Sequence, residues 1–121
     1  MISIIDDDES VRFATKRLVT SAGLNARTFT SAEEFLKSDC VTESSCIITD
    51  IQMPGLSGLE LHCRLLAEGH HTPVIFITAF PNDSLRARVL EAGAACFLTK
   101  PFNGESLIQC LETILKQQDR R

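Results

Sequence analysis

The chain has 121 residues, of which 44% are hydrophobic and 23% are charged, so it is long enough for one globular domain with its own core. No apolar run approaches the roughly 20 residues that a membrane-spanning helix requires, and the net charge of −4 argues against nucleic-acid binding by this domain alone. The first predicted strand starts at Met1 or Ile2, which leaves no room for a signal peptide, so we expect a cytoplasmic domain with no membrane partner.

Two kinds of pattern alternate along the chain and predict strands and helices in turn. The strand runs are short, apolar and rich in β-branched or aromatic residues, whereas the helical segments repeat apolar residues every three or four positions. In chain order the predicted elements are a strand at about 2–5, a helix at 10–22, a strand at 24–29, a helix at 32–37, a strand at 46–49, a helix at 58–68, a strand at 74–78, a helix at 84–92, a strand at 96–99 and a helix at 105–118.

Local signals support several of these boundaries. Gly23 and Gly93 follow the first and fourth predicted helices, where a C-terminal glycine is common. Ser31 is predicted to cap the second helix, and Glu34 to complete a capping box with it. The polar stretch SDCVTESS, residues 38–45, is predicted to be a loop.

This alternation predicts an α/β fold, with a five-stranded parallel sheet and helices on both of its faces. Five strands fit the doubly wound, flavodoxin-like order 2-1-3-4-5, whose switch point lies between the first and third strands. Ligands bind beyond the carboxyl ends of the strands in such sheets. The residues that follow the strands are therefore the candidates for a functional site.

Polar side chains stand at the carboxyl ends of four predicted strands. They are Asp6, Asp7 and Asp8 after the first strand, Asp50 after the third, Thr78 at the end of the fourth and Lys100 after the fifth. Packed together, the acids would repel one another without a cation, and a hard divalent ion such as Mg²⁺ (or Mn²⁺) prefers oxygen ligands. The set suits a divalent metal and a phosphoryl group, with a carboxylate as the acceptor.

Asp8 has two interpretations from the sequence. It flanks the acid cluster, or it caps the first helix, and the cap is favoured because Asp stabilises a helix N-terminus. The choice decides whether the site contains three acids or four.

The cysteines and histidines follow no disulfide or metal pattern. An odd number of cysteines without a C-x-x-C pair is typical of a reducing compartment, and we expect only structural or incidental thiols at Cys40, Cys46, Cys63, Cys96 and Cys110. Two neighbouring histidines without a third ligand make a weak metal site. We therefore expect exposed side chains at His62, His70 and His71.

Several segments, in this order and spacing, resemble the receiver domain of response regulators in two-component signalling. They are IIDDDESVR, IITDIQMPGLSGLEL, VIFITAF and EAGAACFLTKPF, and the resemblance covers residues 1–121 as a single receiver domain. The segments TFTSAEEFL and TDIQMPGLSGLEL are most similar to the subgroup whose receivers precede a helix-turn-helix DNA-binding domain. We therefore expect the chain to be a fragment, with an output domain after residue 121.

The resemblance implies a role for each residue that would contact the phosphoryl group. Asp50 is the expected acceptor and would form an acyl phosphate. Thr78 is expected to donate its hydroxyl to one phosphoryl oxygen, and Lys100 to place its ammonium against another. The resemblance also implies a cis bond between Lys100 and Pro101 that aims the lysine inward.

It further implies residues for the metal and for the switch. Asp7 would bind Mg²⁺ directly together with the acceptor, Asp6 would act mostly through water, and the backbone carbonyl of Gln52 would supply another oxygen. Phe97 would rotate inward when the threonine hydroxyl moves towards the phosphoryl group. Gln52 and Phe80 would flank the path of the attacking water and set the lifetime of the phosphate.

The function implied is a phosphorylation switch that accepts its phosphoryl group from a sensor histidine kinase. Such a domain catalyses only its own phosphorylation and dephosphorylation and is otherwise no enzyme. The phosphoryl group would promote a homodimer through the face built from the predicted elements at 84–92, 96–99 and 105–118. The expected output is transcription, through a C-terminal DNA-binding domain.

Two other interpretations stay open at this point. Asp6-x-Asp8 superficially matches the D-x-D of haloacid-dehalogenase-type phosphohydrolases, which use an aspartate nucleophile, although the downstream acidic pair and cap domain are not found after Lys100. A receiver-shaped binding module that is never phosphorylated is the second, although such modules usually lack one of the key residues.

Overall fold

The computed structural model describes residues 1–119, and in this range β-strands and α-helices alternate as predicted, with one additional helix. In chain order the elements are β1 (Ile2–Ile5), α1 (Glu9–Ser21), β2 (Ala26–Phe29), α2 (Ala32–Leu36), α3 (Cys40–Glu43), β3 (Cys46–Asp50), α4 (Gly58–Ala67), β4 (Val74–Thr78), α5 (Asp83–Glu91), β5 (Cys96–Thr99) and α6 (Gly104–Asp119). Among these helices, none combines the length and the apolar composition that crossing a membrane requires.

The five strands form one parallel sheet in the order β2-β1-β3-β4-β5, which confirms the predicted fold. Every residue of β1, β3 and β4 is buried. A central parallel strand is covered by helices on both faces, which is why these three segments are almost continuously apolar in the sequence.

Alternate residues of each strand pack on opposite faces of the sheet and divide the core in two. On one face, Ile5, Ile47 and Phe76 pack with residues of α2, α4 and α5. On the other face, Ile4 and Ile48 pack with residues of α1 and α6. The sheet is thus covered by helices on both faces, and the carboxyl ends of its strands lie at an edge that these helices do not cover.

The stretch 38–45, predicted to be a loop, contains the short helix α3, so that prediction is wrong for Cys40–Glu43. Its serines supply local hydrogen bonds, because Ser38 Oγ accepts from the amide of Cys40 at 3.2 Å and Ser44 Oγ donates to the Cys40 carbonyl at 2.6 Å. The buried side chain of Cys40 anchors the turn in the core. The second strand also differs, since it starts at Ala26, two residues later than predicted.

The capping box predicted for α2 is only half formed. Ser31 Oγ accepts from the amide of Glu34 at 3.1 Å, but the Glu34 carboxylate accepts instead from the hydroxyl of Thr30 at 2.8 Å. A complete capping box stands at the start of α4, between Ser57 and Glu60. The spacing S-x-x-E occurs at both places, and only the tertiary structure decides which glutamate turns back to its own cap.

Two cysteines differ from the expectation of free thiols. Cys96 on β5 and Cys110 on α6 form a disulfide, so that expectation is wrong for this pair. The other three are free: Cys40 and Cys46 are buried and Cys63 is exposed. Burial raises the pKa of the Cys46 thiol to about 12, which keeps it protonated and unreactive.

His62 is buried, at 5% exposure, so the expectation of an exposed side chain is wrong at this position. It lies on the inner face of α4, and its ring meets that of Phe76 edge to face, with centroids 5.5 Å apart. Its Nδ1 has no hydrogen-bond partner within residues 1–119, and burial lowers the pKa of the imidazole. His70 is half-buried, so the expectation of an exposed side chain fails there as well, whereas His71 is exposed as expected.

Candidate functional site

The polar residues that follow the strands converge at the carboxyl edge of the sheet. Asp6 follows β1, Asp50 and Thr78 end β3 and β4, and Lys100 follows β5. Asp6, Asp50 and Thr78 are 2%, 6% and 0% exposed, whereas Asp7 is exposed to solvent. Two buried carboxylates and one solvent-facing carboxylate therefore line a cleft that is open on one side.

The ammonium of Lys100 bridges the two buried acids. Its Nζ lies 3.0 Å from Asp6 Oδ2 and 3.1 Å from Asp50 Oδ2. Burial alone would lower the pKa of Lys100, but the hydrogen bonds and negative charges of both acids outweigh it and raise the pKa. Lys100 is therefore a permanent cation at this position, and the cis Lys100–Pro101 bond is the form that the resemblance implies.

The positive charge of Lys100 does not fully compensate the negative charge of the buried Asp50 carboxylate. Burial raises the pKa of its carboxyl, and the negative charge of Asp6 raises it further. Its Oδ1 is buried and has no hydrogen-bond partner among the described residues. An unsatisfied buried carboxylate oxygen is costly, and it indicates a missing cationic or donor partner.

The three acids of the cleft fit a metal ion. Asp6, Asp7 and Asp50 each offer a carboxylate oxygen, and these oxygens lie within 4.8 Å of one another. Carboxylate oxygens are the ligands that hard divalent ions such as Mg²⁺ prefer. Together with the unpartnered Oδ1 of Asp50, this cluster is chemically suited to hold such an ion.

The start of α1 positions Asp6. The carboxylate of Asp8 accepts from the amides of Ser10 and Val11 at 2.9 and 3.4 Å, so Asp8 is the N-cap of this helix, as the favoured interpretation holds. Asp6 Oδ1 in turn accepts from the amide of Asp8 at 2.9 Å. Arg12 Nη1 donates to the carbonyl of Asp6 at 2.8 Å, a contact that the sequence did not reveal.

The backbone of Asp50 is held by a close approach of α4. A side chain at Gly58 would overlap the carbonyl oxygen of Asp50, so the first turn of α4 packs directly on the backbone of Asp50. The amide of Gly58 also donates to the carbonyl of Ile51 at 3.0 Å. The sequence signal for this contact is a glycine directly after the capping Ser57, which sequence reasoning did not use.

Thr78 is hydrogen-bonded to Gln52, two residues after Asp50 in the chain. Its hydroxyl donates to the side-chain oxygen of Gln52 at 2.7 Å and accepts from the amide of Phe80 at 3.0 Å. The resemblance implied a metal-binding carbonyl for Gln52, and this side-chain bond is an additional feature. The ring of Phe80 is exposed to solvent.

Phe97 lies on β5, next to the strand that carries Thr78. In the register of the sheet it pairs with Phe76 of β4, and it is half-buried. The guanidinium carbon of Arg86, on α5, lies 5.5 Å from the centre of its ring, which is a cation–π distance. The ring is thus in contact with both the sheet and the helix that follows β4.

Comparisons with known proteins agree with this geometry. The family model described as the response regulator receiver domain matches residues 2–112. The transcriptional regulatory protein FixJ of Azorhizobium caulinodans is 38% identical over an alignment that covers 99% of this chain and 60% of that protein. The response regulator protein TmoT of Ectopseudomonas mendocina is 38% identical and is covered over 53% of its length.

A solved structure of the response regulator StyR superposes with a TM-score of 0.89 at 37% identity, covering 99% of this chain and 61% of that chain. The chain thus spans only about half to three fifths of the length of the curated relatives it matches. It corresponds to one part of those proteins.

Proposed function

The chain belongs to the family of response regulator receiver domains, and on that premise we propose that Asp50 accepts a phosphoryl group and thereby switches the domain. Such domains are parts of signalling proteins rather than enzymes that turn over a metabolite. One observation carries the assignment to Asp50: it is a buried, strand-end carboxylate beside the Lys100 ammonium, with one oxygen unpartnered among the described residues.

The proposed transfer is an in-line displacement. One carboxylate oxygen of Asp50 attacks phosphorus, the bond from phosphorus to the donor atom breaks, and its electron pair leaves with the donor. We propose a phosphohistidine of a sensor kinase as the donor, so that the pair returns to an imidazole nitrogen. Hydrolysis by water then returns Asp50 to its carboxylate and releases inorganic phosphate, in a reaction that the domain itself catalyses.

The surrounding residues would stabilise the charge that arrives with the phosphoryl group. Lys100, whose Nζ lies 3.1 Å from Asp50 Oδ2, supplies a fixed positive charge. The Thr78 hydroxyl would break its hydrogen bond to Gln52 and donate one to a phosphoryl oxygen instead. Asp7, Asp50 and the carbonyl of Gln52 would hold Mg²⁺, with Asp6 nearby. When bound, the ion would neutralise negative charge on the acids and on the phosphoryl oxygens.

The proposed output is a change in a protein surface. This chain covers only 60% of the length of a relative that is named a transcriptional regulatory protein. We therefore propose that a DNA-binding domain follows this receiver in the whole protein. Phosphorylation would pair two receivers through α5, β5 and α6, in the cytoplasm, and bring two such domains together. The receiver itself has a net charge of −4 and would leave DNA contacts to its partner domain.

The two alternative functions are not favoured. A phosphohydrolase of the haloacid-dehalogenase type needs the second acid of its D-x-D motif in the cleft, but the Asp8 carboxylate is bound to the first amides of α1. A binding module that is never phosphorylated usually lacks one of the reactive residues, whereas Asp50, Thr78 and Lys100 are all present at the same edge of the sheet.

Phosphorylation by acetyl phosphate, followed by intact-protein mass spectrometry, tests the proposal. We expect an adduct of one phosphoryl group in the presence of Mg²⁺, none in Asp50→Asn and little in EDTA. Asp39→Asn is the matched control, because Asp39 is an exposed aspartate outside the cleft. An adduct that forms equally in Asp50→Asn, or equally in EDTA, would refute the assignment.

A further inference from the structure

The disulfide between Cys96 and Cys110 joins the edge strand of the sheet to α6. Cys96 is the first residue of β5, the last strand of the sheet, and Cys110 lies within α6, 14 residues later. Their Cα atoms are 6.4 Å apart, within the range of about 4.4–6.8 Å over which two cysteines can be bridged. The backbone is therefore already in place for this pair to form or open its bond.

The same pair is accessible from solvent, unlike two of the free cysteines. Both side chains are only half-buried, and they border an open cavity of about 340 Å³. The other polar residues that line this cavity are Ser106, Gln109, Thr113 and Gln117. Cys40 and Cys46 are fully buried and out of reach of a solute. A small thiol or disulfide can thus reach the Cys96–Cys110 pair from solvent, whereas it cannot reach Cys40 or Cys46.

We propose that Cys96 and Cys110 are a reversible redox-modification site whose reaction partner is a small disulfide, with oxidised glutathione as the representative. One cysteine thiolate attacks a sulfur of the oxidant, the oxidant's S–S bond breaks, and the first reduced thiol leaves. The second cysteine attacks the protein-side sulfur of this mixed disulfide and expels the second thiol. The protein loses two electrons and two protons, and the two released thiols carry both.

The position of the bond suggests what it controls, and this step rests on the proposed function. Cys96 precedes Phe97, and the two side chains pack in opposite halves of the core. The disulfide ties β5 to α6, which are two of the three elements of the proposed dimerisation face. It does so in the arrangement in which Thr78 is bonded to Gln52. Oxidation therefore opposes the phosphoryl-driven change of that face without touching Asp50.

Alkylation under denaturing conditions tests the site itself, in a Cys63→Ser background that removes the exposed thiol. The reduced variant has four thiols, and after equilibration with oxidised glutathione it should have two, with Cys96 and Cys110 linked in the peptide map. Reduction should restore all four. Retention of four thiols in excess oxidised glutathione, or glutathione left attached to the protein, would overturn the proposal. Cys96→Ser and Cys110→Ser should each lose the linkage.

Light scattering with beryllofluoride, a phosphoryl mimic, tests the consequence. In the Cys63→Ser background the reduced domain should dimerise at a several-fold lower protein concentration than the oxidised domain. The same background with Cys96→Ser and Cys110→Ser together, which has no thiol at this site, should respond alike with and without oxidant. Equal dimerisation of both forms would overturn control by the disulfide. If neither form dimerises, the proposed dimer fails, while the thiol titration still decides whether the redox site exists.

Discussion

The hydroxyl of Thr78 donates a 2.7 Å hydrogen bond to the side-chain oxygen of Gln52, two residues beyond Asp50. A hydroxyl has one proton to donate, so Thr78 cannot serve Gln52 and a phosphoryl oxygen on Asp50 at the same time. This bond therefore occupies the hydroxyl proton that Thr78 would otherwise offer to a phosphoryl group on Asp50. Gln52 thus competes with the phosphoryl group for the residue that would transmit the signal.

Gln52→Met should make the switch easier to activate, because methionine fills similar space but offers no carbonyl oxygen. A neutral hydrogen bond contributes about 0.5–1.5 kcal/mol, so half-maximal dimerisation should need up to about tenfold less beryllofluoride. The control is the same change in a Thr78→Val background, where the competing proton is already gone and the effect should vanish. An unchanged midpoint for Gln52→Met alone would exclude this competition.

Thr78→Ala should separate phosphorylation from its consequence. Asp50 and Lys100 stay in place, so acetyl phosphate should still label the domain, but the variant should dimerise several-fold more weakly with beryllofluoride.

Arg86→Gln, which removes the cation over Phe97, should also alter dimerisation while leaving labelling intact. Light scattering at a series of concentrations measures both, and a wild-type domain that stays monomeric with the adduct would direct attention to another surface.

Mg²⁺ should stabilise the fold through the acid cluster. An ion that binds only the native state adds RT ln(1 + [L]/Kd), roughly 2.7 kcal/mol at a hundredfold excess over Kd. Asp7→Ala should lose most of this gain, and it should raise stability without metal by removing like-charge repulsion. Thermal melts with Mg²⁺ and with EDTA measure both effects.

Asp8→Ala is the matched control for that experiment, because Asp8 is the neighbouring acid whose carboxylate caps α1. It should destabilise the fold by about 1 kcal/mol with or without metal, and it should keep the Mg²⁺ gain. If Asp7→Ala kept the full gain as well, the ion would bind somewhere else.

Unfolding should become easier as the pH falls through the titration of His62. Burial lowers the pKa of this imidazole below its ordinary value of 6.5. Just below pH 6.5, His62 is therefore protonated in the unfolded chain but still neutral in the folded chain. Its stabilising contribution is complete above about pH 6.5 and is lost as the pH falls towards the lowered pKa. Urea unfolding at several pH values should show this slope.

His62→Leu should flatten the slope below pH 6.5, since a buried leucine has nothing to protonate. His71→Gln is the control, because His71 is exposed and its removal should leave the slope as it is. A His62→Leu variant with the original pH dependence would assign the effect to other groups.

The sequence alone determined the order and type of every element except α3, and the residues at the strand ends. Apolar runs such as VIFIT predict buried strands because a strand covered on both faces has no polar side to display. The convergence of Asp6, Asp50, Thr78 and Lys100 followed from the same pattern, since parallel strands bring their carboxyl ends to one edge. Roles for these residues came from the family resemblance.

The tertiary structure alone decided which side chains meet across the fold. His62 is buried because α4 turns that position towards Phe76, and Cys96 meets Cys110 because α6 packs against the start of β5. Spacing in the sequence contains neither contact, because both join elements whose relative placement depends on how the whole sheet is covered. A local example is Glu34, whose carboxylate accepts a hydrogen bond from Thr30 and not from the backbone of Ser31, although the S-x-x-E spacing allows the latter.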